Sequence, residues 1–253
     1  TIDAFGFFQV SGALAFNKNT TSVTLGDLPL TGPNESTTPV VVEQLTLGGS
    51  GLTAFAGING GSADPTGLNL TGVNFAVAIQ TEKNPAANTT AREWTAVKAS
   101  ATGVNFVGVS GLTVSATAID IAITRKATDN TLVDYAAQNL AVQTSATATP
   151  STMLLDLAAN LGEVTRASGN LTIDAFGFFQ VSGALALNKN TTSVTLGNLS
   201  GTPADESATP VVVEQLTIGG SGLTAFAGIN GGSADPTGLN LTGVNFAVAI
   251  QTE

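Results

Sequence analysis

The chain contains neither cysteine nor histidine among its 253 residues. Without cysteine there can be no disulfide or thiolate chemistry, and without histidine there can be no imidazole-bound metal or serine–histidine–aspartate triad. Polar residues interrupt every long apolar stretch, so the sequence predicts no transmembrane helix. The chain also begins without methionine or a signal peptide, which is what an internal segment of a longer protein would show.

Charged residues are also scarce. Only 10% of the residues are charged, against roughly a quarter in an average globular protein. Eighteen acidic residues oppose eight basic ones, giving a net charge of −10. This balance argues against nucleic-acid binding, which needs a basic face. Apolar residues make up 43% of the chain, enough for a continuous core and too many for a disordered acidic segment.

The dominant feature is an internal repeat. Residues 1–82 recur almost unchanged as residues 172–253, an offset of 171. The chain therefore divides into one full unit, 1–171, and the first part of a second unit, 172–253. Such repetition is typical of arrays in which each unit packs on its neighbours. We expect the chain to be a segment of a longer tandem array.

The two copies differ at nine of 82 positions, and the differences cluster. Two exchange one apolar residue for another, and the other seven lie between residues 27 and 37. Random drift would scatter the changes evenly. A segment that exchanges proline, glycine, asparagine and leucine freely is typical of an exposed loop, so the sequence predicts a variable loop over 27–37.

The local pattern predicts β-strands throughout. Apolar and polar residues alternate, for example over Leu112–Thr117, and threonine and valine are abundant. Several strands are expected to be long, among them 67–81 and 111–124. Clusters of glycine, proline, asparagine and aspartate predict turns between the strands. These turns fall at 26–35, 59–67, 82–90, 125–130 and 146–152.

Within four of the expected strands the alternation slips by one residue. A one-residue slip turns every later side chain to the other face, unless a bulge or corner restores the facing. In each case a small residue precedes the slip, which favours a tight corner over a strand that is apolar on both faces. The four residues are Gly72, Gly103, Ala118 and Ala175.

A finer spacing suggests the architecture. The motif TGVNF occurs at 71–75 and 102–106, and SGLT occurs at 50–53 and 110–113. These spacings are about 30 residues and about twice that length, which about six stacked coils per unit would explain. The sequence therefore predicts an all-β, elongated, β-solenoid-like tandem module. A string of tandem β-sandwich domains, two per unit, is the alternative. The segment 151–166 fits both helical and strand spacing, and the β context favours a strand.

Few residues are candidates for chemistry. The loop Asn59–Gly67, repeated at 230–238, resembles a calcium loop through Asn59, Asp64, Asn230 and Asp235. One carboxylate per loop is far from the six to eight oxygen ligands that calcium takes, so a plain turn is favoured and no cofactor is expected. Asp3, Asp120 and Asp174 lie within strands, where they are expected to be solvated or to protect an edge.

The aromatic residues fall into a repeated cluster. Phe5, Phe7 and Phe8 of FGFF recur at 176–179. Aromatic residues spaced two apart favour a place in the core over a sugar-stacking platform.

Several long sequence segments resemble the repeats of giant bacterial surface proteins. They are FGFFQVSGALAF, VVVEQLTLGGSGLTAFAGINGG, GLNLTGVNFAVAIQT and GVNFVGVSGLTVSATAIDIAI, and the resemblance extends over essentially the whole chain. The resemblance implies an extracellular, cysteine-free structural element, a fibre, filament or stalk, that associates with itself or continues into identical repeats. It implies no catalytic residues, so an enzyme is not expected. The alternative is an adhesin module that contacts a glycan or a partner cell through exposed loops such as 27–37.

Overall fold

The protein is all-β, as its sequence predicts. A computed structural model describes residues 1–27, 39–197 and 210–253, so the predicted variable loop lies outside the described residues except for Asp27. The strands in chain order are β1 Ile2–Ala4, β2 Phe8–Val23, β3 Leu25–Asp27, β4 Val40–Ile58, β5 Thr66–Glu82, β6 Glu93–Val107, β7 Leu112–Arg125, β8 Thr131–Val133, β9 Leu140–Gln143, β10 Thr152–Leu155, β11 Val164–Ala175, β12 Phe179–Val194, β13 Val211–Ile229 and β14 Thr237–Thr252. The predicted turns at 59–67, 82–90, 125–130 and 146–152 fall between strands, and the long strands predicted at 67–81 and 111–124 are present.

Ten of the strands form one antiparallel sheet in the order β1-β2-β4-β5-β6-β7-β11-β12-β13-β14. The order follows the chain, so each sheet strand pairs with the sheet strands before and after it. The remaining four strands form two short pairs, β3 with β8 and β9 with β10. The two TGVNF motifs lie on the neighbouring strands β5 and β6, where Thr71 is opposite Gly103.

Both copies of the repeat form the same sheet strands in the same register, whereas β3 of the first copy has no counterpart at residues 196–197. Phe8 is opposite Ala56 in the first copy, as Phe179 is opposite Ala227 in the second. Six sheet strands precede β11, so one unit contributes six strands. Strand β11 runs from Val164 to Ala175 and therefore contains the boundary between residues 171 and 172. The sheet consequently passes from one unit into the next without interruption.

A line of left-handed residues crosses the sheet, and the strand register shifts beside several of them. Gly72 has a φ of +59° and Ala118 a φ of +50°, which confirms the corners predicted at these two residues. Gly51 and its repeat Gly222, at +58° and +60°, mark register shifts in β4 and β13. Asn74 braces the corner, because its Oδ1 accepts from the Gly51 N–H at 3.0 Å and its Nδ2 donates to the Gly72 carbonyl at 3.1 Å.

The other two predicted corners have different outcomes. Gly103 lies on the same line, opposite Thr71 and Thr117, without a register shift of its own. Ala175 ends β11, and the chain then reverses through a tight turn at Phe176. The corner predicted at Ala175 is therefore wrong, because a turn also changes the phase of the alternation.

A second layer covers one face of the first unit. It consists of residues 126–163, including β8, β9, β10 and a short 3-10 helix at Ala159–Leu161, together with β3. We call this segment the covering layer and the sheet face beneath it the covered face. Leu155 and Val142 from the layer are fully buried with Trp94 and Val42 from the sheet. The strand predicted within 151–166 is confirmed at β10 and at the start of β11, with the 3-10 turn between them.

Candidate interaction surfaces

A chain of hydrogen bonds between polar side chains joins the covering layer to the sheet. The Tyr135 hydroxyl donates to Gln80 Oε1 at 2.8 Å, and Gln80 Nε2 donates to Gln44 Oε1 at 2.8 Å. Gln44 Nε2 in turn donates to Asn19 Oδ1 at 3.3 Å. Burial raises the pKa of Tyr135, so the phenol stays neutral and serves as a donor. This network fixes the layer in place, since a buried amide without a partner would be costly.

An ion-pair cluster closes the end of the covered face. Arg92 forks onto Glu82, with Nε to Oε2 and Nη2 to Oε1 both 2.9 Å, and reaches Asp129 Oδ2 at 3.0 Å. Its guanidinium lies 5.3 Å from the centre of the Trp94 ring. The hydrogen bonds from Arg92 lower the pKa of Glu82. The single guanidinium bridges two carboxylates, and its fork on Glu82 has the geometry of a structural clasp.

The predicted calcium loops are held by their own hydrogen bonds. The Asn59 carbonyl accepts from the Ser62 N–H at 3.1 Å and from Ser62 Oγ at 2.7 Å, while the Asp64 N–H donates to Ser62 Oγ at 3.3 Å. In the equivalent turn of the second copy, the Asn230 carbonyl accepts the same two bonds from Ser233. Both Asp64 and Asp235 are exposed. Among the described residues, no group of three or more acidic side chains is placed to hold a metal ion. The geometry favours a turn.

The strand aspartates differ in their surroundings. Asp3 Oδ1 accepts from the Gly6 N–H at 2.9 Å and its Oδ2 accepts from Gln9 Nε2 at 3.0 Å. These bonds lower the pKa of Asp3. Asp174 makes the equivalent bonds in the second copy. Both carboxylates therefore brace a turn, whereas Asp120 lies opposite Ser100 and Ser168 in the middle of the sheet.

The repeated aromatic residues project from the turns that the aspartates brace. Phe5 is 98% exposed and Phe178 is 59% exposed. Phe5 and Phe176 also have φ values of +55° and +56°, which are strained for a bulky residue. The prediction that FGFF lies in the core is wrong, because its phenylalanines fall in and beside a tight turn at the margin of the sheet.

The opposite side of the sheet, which we call the open face, is apolar across nine strands. Paired residues of antiparallel strands place their side chains on the same face, so the strand register defines its members. They are Leu14, Phe16, Leu45, Leu47, Phe75, Val77, Ile79, Val97, Ala99, Ile119, Ile121, Ile123, Ala167, Leu185, Leu187, Leu216, Ile218, Phe246, Val248 and Ile250. Phe16 remains 68% exposed and Val248 47% exposed.

Charged residues of both signs border the open face along one margin. Lys18 pairs with Glu43, and the repeat places Lys189 Nζ 2.9 Å from Glu214 Oε2. Arg125 lies at the same margin, opposite Thr95 and next to the Lys189 row. An apolar centre with a mixed-charge rim is the usual anatomy of a protein–protein interface.

The sequence does not predict the open face, although it contains a signal for it. In β5 the residues that face the covering layer are small or amide-bearing, Ala76, Ala78 and Gln80, and all are buried. Their neighbours Phe75, Val77 and Ile79 are larger and less buried. The alternation of small and large side chains in β5 is therefore the signal, and the corner at Gly72 accounts for the phase slip that precedes it.

Comparisons with protein-family models, curated proteins and solved structures found no match. Among the described residues, helical structure amounts to single turns, and none is long and apolar enough to span a membrane. The repeat, the continuous sheet and its two faces are therefore the features from which a function can be inferred.

Proposed function

We propose that this chain is a structural segment of a very large extracellular or cell-surface protein, built from tandem copies of the unit 1–171. In this proposal the units add along one direction and form a filament or stalk. The scarcity of charge, the absence of cysteine and the long identical phrases support a repetitive structural element. The chain is proposed to act through its length and surface, without a catalytic site.

The observation that carries the proposal is the course of the sheet through the unit boundary. Strand β11 contains residues from both units and pairs with β7 of the first unit and β12 of the second. The pairing of β12 with β13 then repeats that of β2 with β4. Each unit thus presents to the next the same edge that it receives from the one before, which is the requirement for an open-ended array.

The same observation bears on the two architectures expected from the sequence. Separate sandwich domains need a linker and separate cores, whereas here a strand occupies the boundary. We infer that the array is solenoid-like in the sense that each unit contacts only its neighbours and shares their sheet. Six strands at about 4.8 Å advance the array by about 29 Å per unit, with a cumulative twist of about 120–150°.

A series of chains with one, two and three additional units tests this proposal. Electron microscopy of the series should show particles that lengthen by about 29 Å per added unit. Each added unit should leave the width of the particle unchanged, because it extends the same sheet. An increment above about 50 Å per unit would indicate separate beads and would refute the proposed shared sheet.

A further inference from the structure

We propose that the open face binds the open face of a second copy of this chain, so that two ribbons pack face to face. This inference rests on the proposed function, because it names the partner that a ribbon of tandem units would take. A sheet with an apolar face becomes stable against water when another layer packs on it. The covering layer fills that role on the covered face of the first unit, whereas the large side chains of the open face are half-buried or exposed.

The open face is large enough for a specific interface. It extends over nine strands spaced by about 4.8 Å and over about two alternate residues in each strand, or roughly 40 Å by 14 Å. The resulting area of roughly 550 Å² for each partner is near the lower end of what specific interfaces bury. Ile119, Leu185 and Ile218 line a shallow apolar depression near its centre, into which side chains of a second sheet can pack.

The charged margin selects a second copy over other occupants. Because Lys18 and Glu43 recur as Lys189 and Glu214, a two-fold arrangement can place lysines of one ribbon against glutamates of the other. A glycan would need hydrogen-bonding groups along the face, whereas aliphatic residues and phenylalanine predominate on the open face, with Thr95 and Thr165 beside its charged margin. An anionic lipid surface would be repelled by the net charge of −10.

The inference is tested on the full chain by comparing lysine substitutions on the open face with lysine substitutions at adjacent residues that lie on the opposite face. Leu187 and Val248 lie on the open face, and their neighbours Asn188 and Ala249 lie on the opposite face. The chain of 25.2 kDa should sediment as a dimer of twice that mass. The double substitution Leu187→Lys and Val248→Lys should weaken dimerisation at least about 100-fold, because it buries unpaired charge.

The matched control is the double substitution Asn188→Lys and Ala249→Lys, which adds the same charge to the same strands and should leave the dimer intact. Circular dichroism and thermal unfolding establish that each variant is folded. If the lysine pair prevents folding, the milder pair Leu187→Thr and Val248→Thr, which keeps good strand formers, should still weaken the dimer about tenfold.

Two results would overturn the inference. One is that the chain stays monomeric up to about 100 µM, because association that weak would not fit a specific interface of this size. The other is a dimer that the control pair disrupts as strongly as the open-face pair. Either result leaves the length of the tandem array unaffected, so failure of this inference is distinguishable from failure of the proposed function.

Discussion

At the residue scale, adjacent residues of a strand place side chains of different size and polarity on the two faces of the sheet. Ala76 and Ala78 are small, so the covering layer can approach the sheet closely, and Gln80 supplies the amide that Tyr135 binds. Some of the charged residues are paired, as in the fork of Arg92 on Glu82. A chain with few ionisable groups therefore places some of them at a structural clasp, and its stability should respond to them individually.

Replacement of Glu82 by glutamine should make the protein less stable at neutral pH and less sensitive to acid. Arg92 lowers the pKa of Glu82 below its ordinary value of 4.5. The stabilisation by this pair is therefore complete above about pH 4.5 and is lost as the pH falls through the folded-state pKa. We expect a loss of about 1 kcal/mol at pH 7, since solvent screens part of the interaction.

Urea unfolding at pH 7 and pH 3 measures this effect. Glu253→Gln is the matched control, because Glu253 occupies in the second copy the position that Glu82 occupies in the first. The control should change the free energy of unfolding by less than about 0.5 kcal/mol. Equal losses for the two variants at pH 7 would argue against the role assigned to the clasp.

At the element scale, the corners in the strands depend on left-handed residues that lie side by side across the sheet. The backbone at Gly72 has a φ of +59°, and a Cβ there would lie 2.4 Å from Thr102 Oγ1 of β6. Its repeat, Gly243, has a φ of +66° but no neighbouring atom within 4 Å of the Cβ position. The two copies thus separate the cost of backbone strain from the cost of crowding between strands.

Alanine at Gly72 should therefore destabilise the protein more than alanine at Gly243. Both changes place a Cβ in a left-handed conformation, at a cost of about 1 kcal/mol. Gly72→Ala adds a steric clash with Thr102, which should cost about 1–2 kcal/mol more. Chemical denaturation of the two variants measures the difference, and equal losses would mean that Thr102 moves away freely.

The elements also show how far the sequence predicts the fold. Turn residues and alternation predict the long strands, the turn at 59–67 and the corners at Gly72 and Ala118, because each is a local property of the backbone. Alternation does not say which strands leave the main sheet, so the sequence does not predict the covering layer at 126–163. The predicted position of FGFF is wrong because aromatic spacing resembles a buried strand even where the chain reverses.

At the scale of the whole molecule, the sheet is continuous across the boundary between the two units. Six strands per unit and a boundary within β11 allow units to be added without a linker. The candidate calcium positions Asn59 and Asp64 lie in a self-bonded turn and contribute no cluster of ligands to this surface. The open face and the repeated aromatic turns are the features that tandem addition would multiply along the array.

The most direct test of this account is the distance between equivalent residues of the two copies in the chain itself. Ser22 on β2 and Ser193 on β12 occupy the same position of the repeat, and the chain contains no cysteine. Nitroxide labels on the double variant Ser22→Cys and Ser193→Cys can therefore be measured by pulsed electron paramagnetic resonance. Six strand spacings predict a single distance of about 29 Å. A distance above about 50 Å would contradict the continuous sheet.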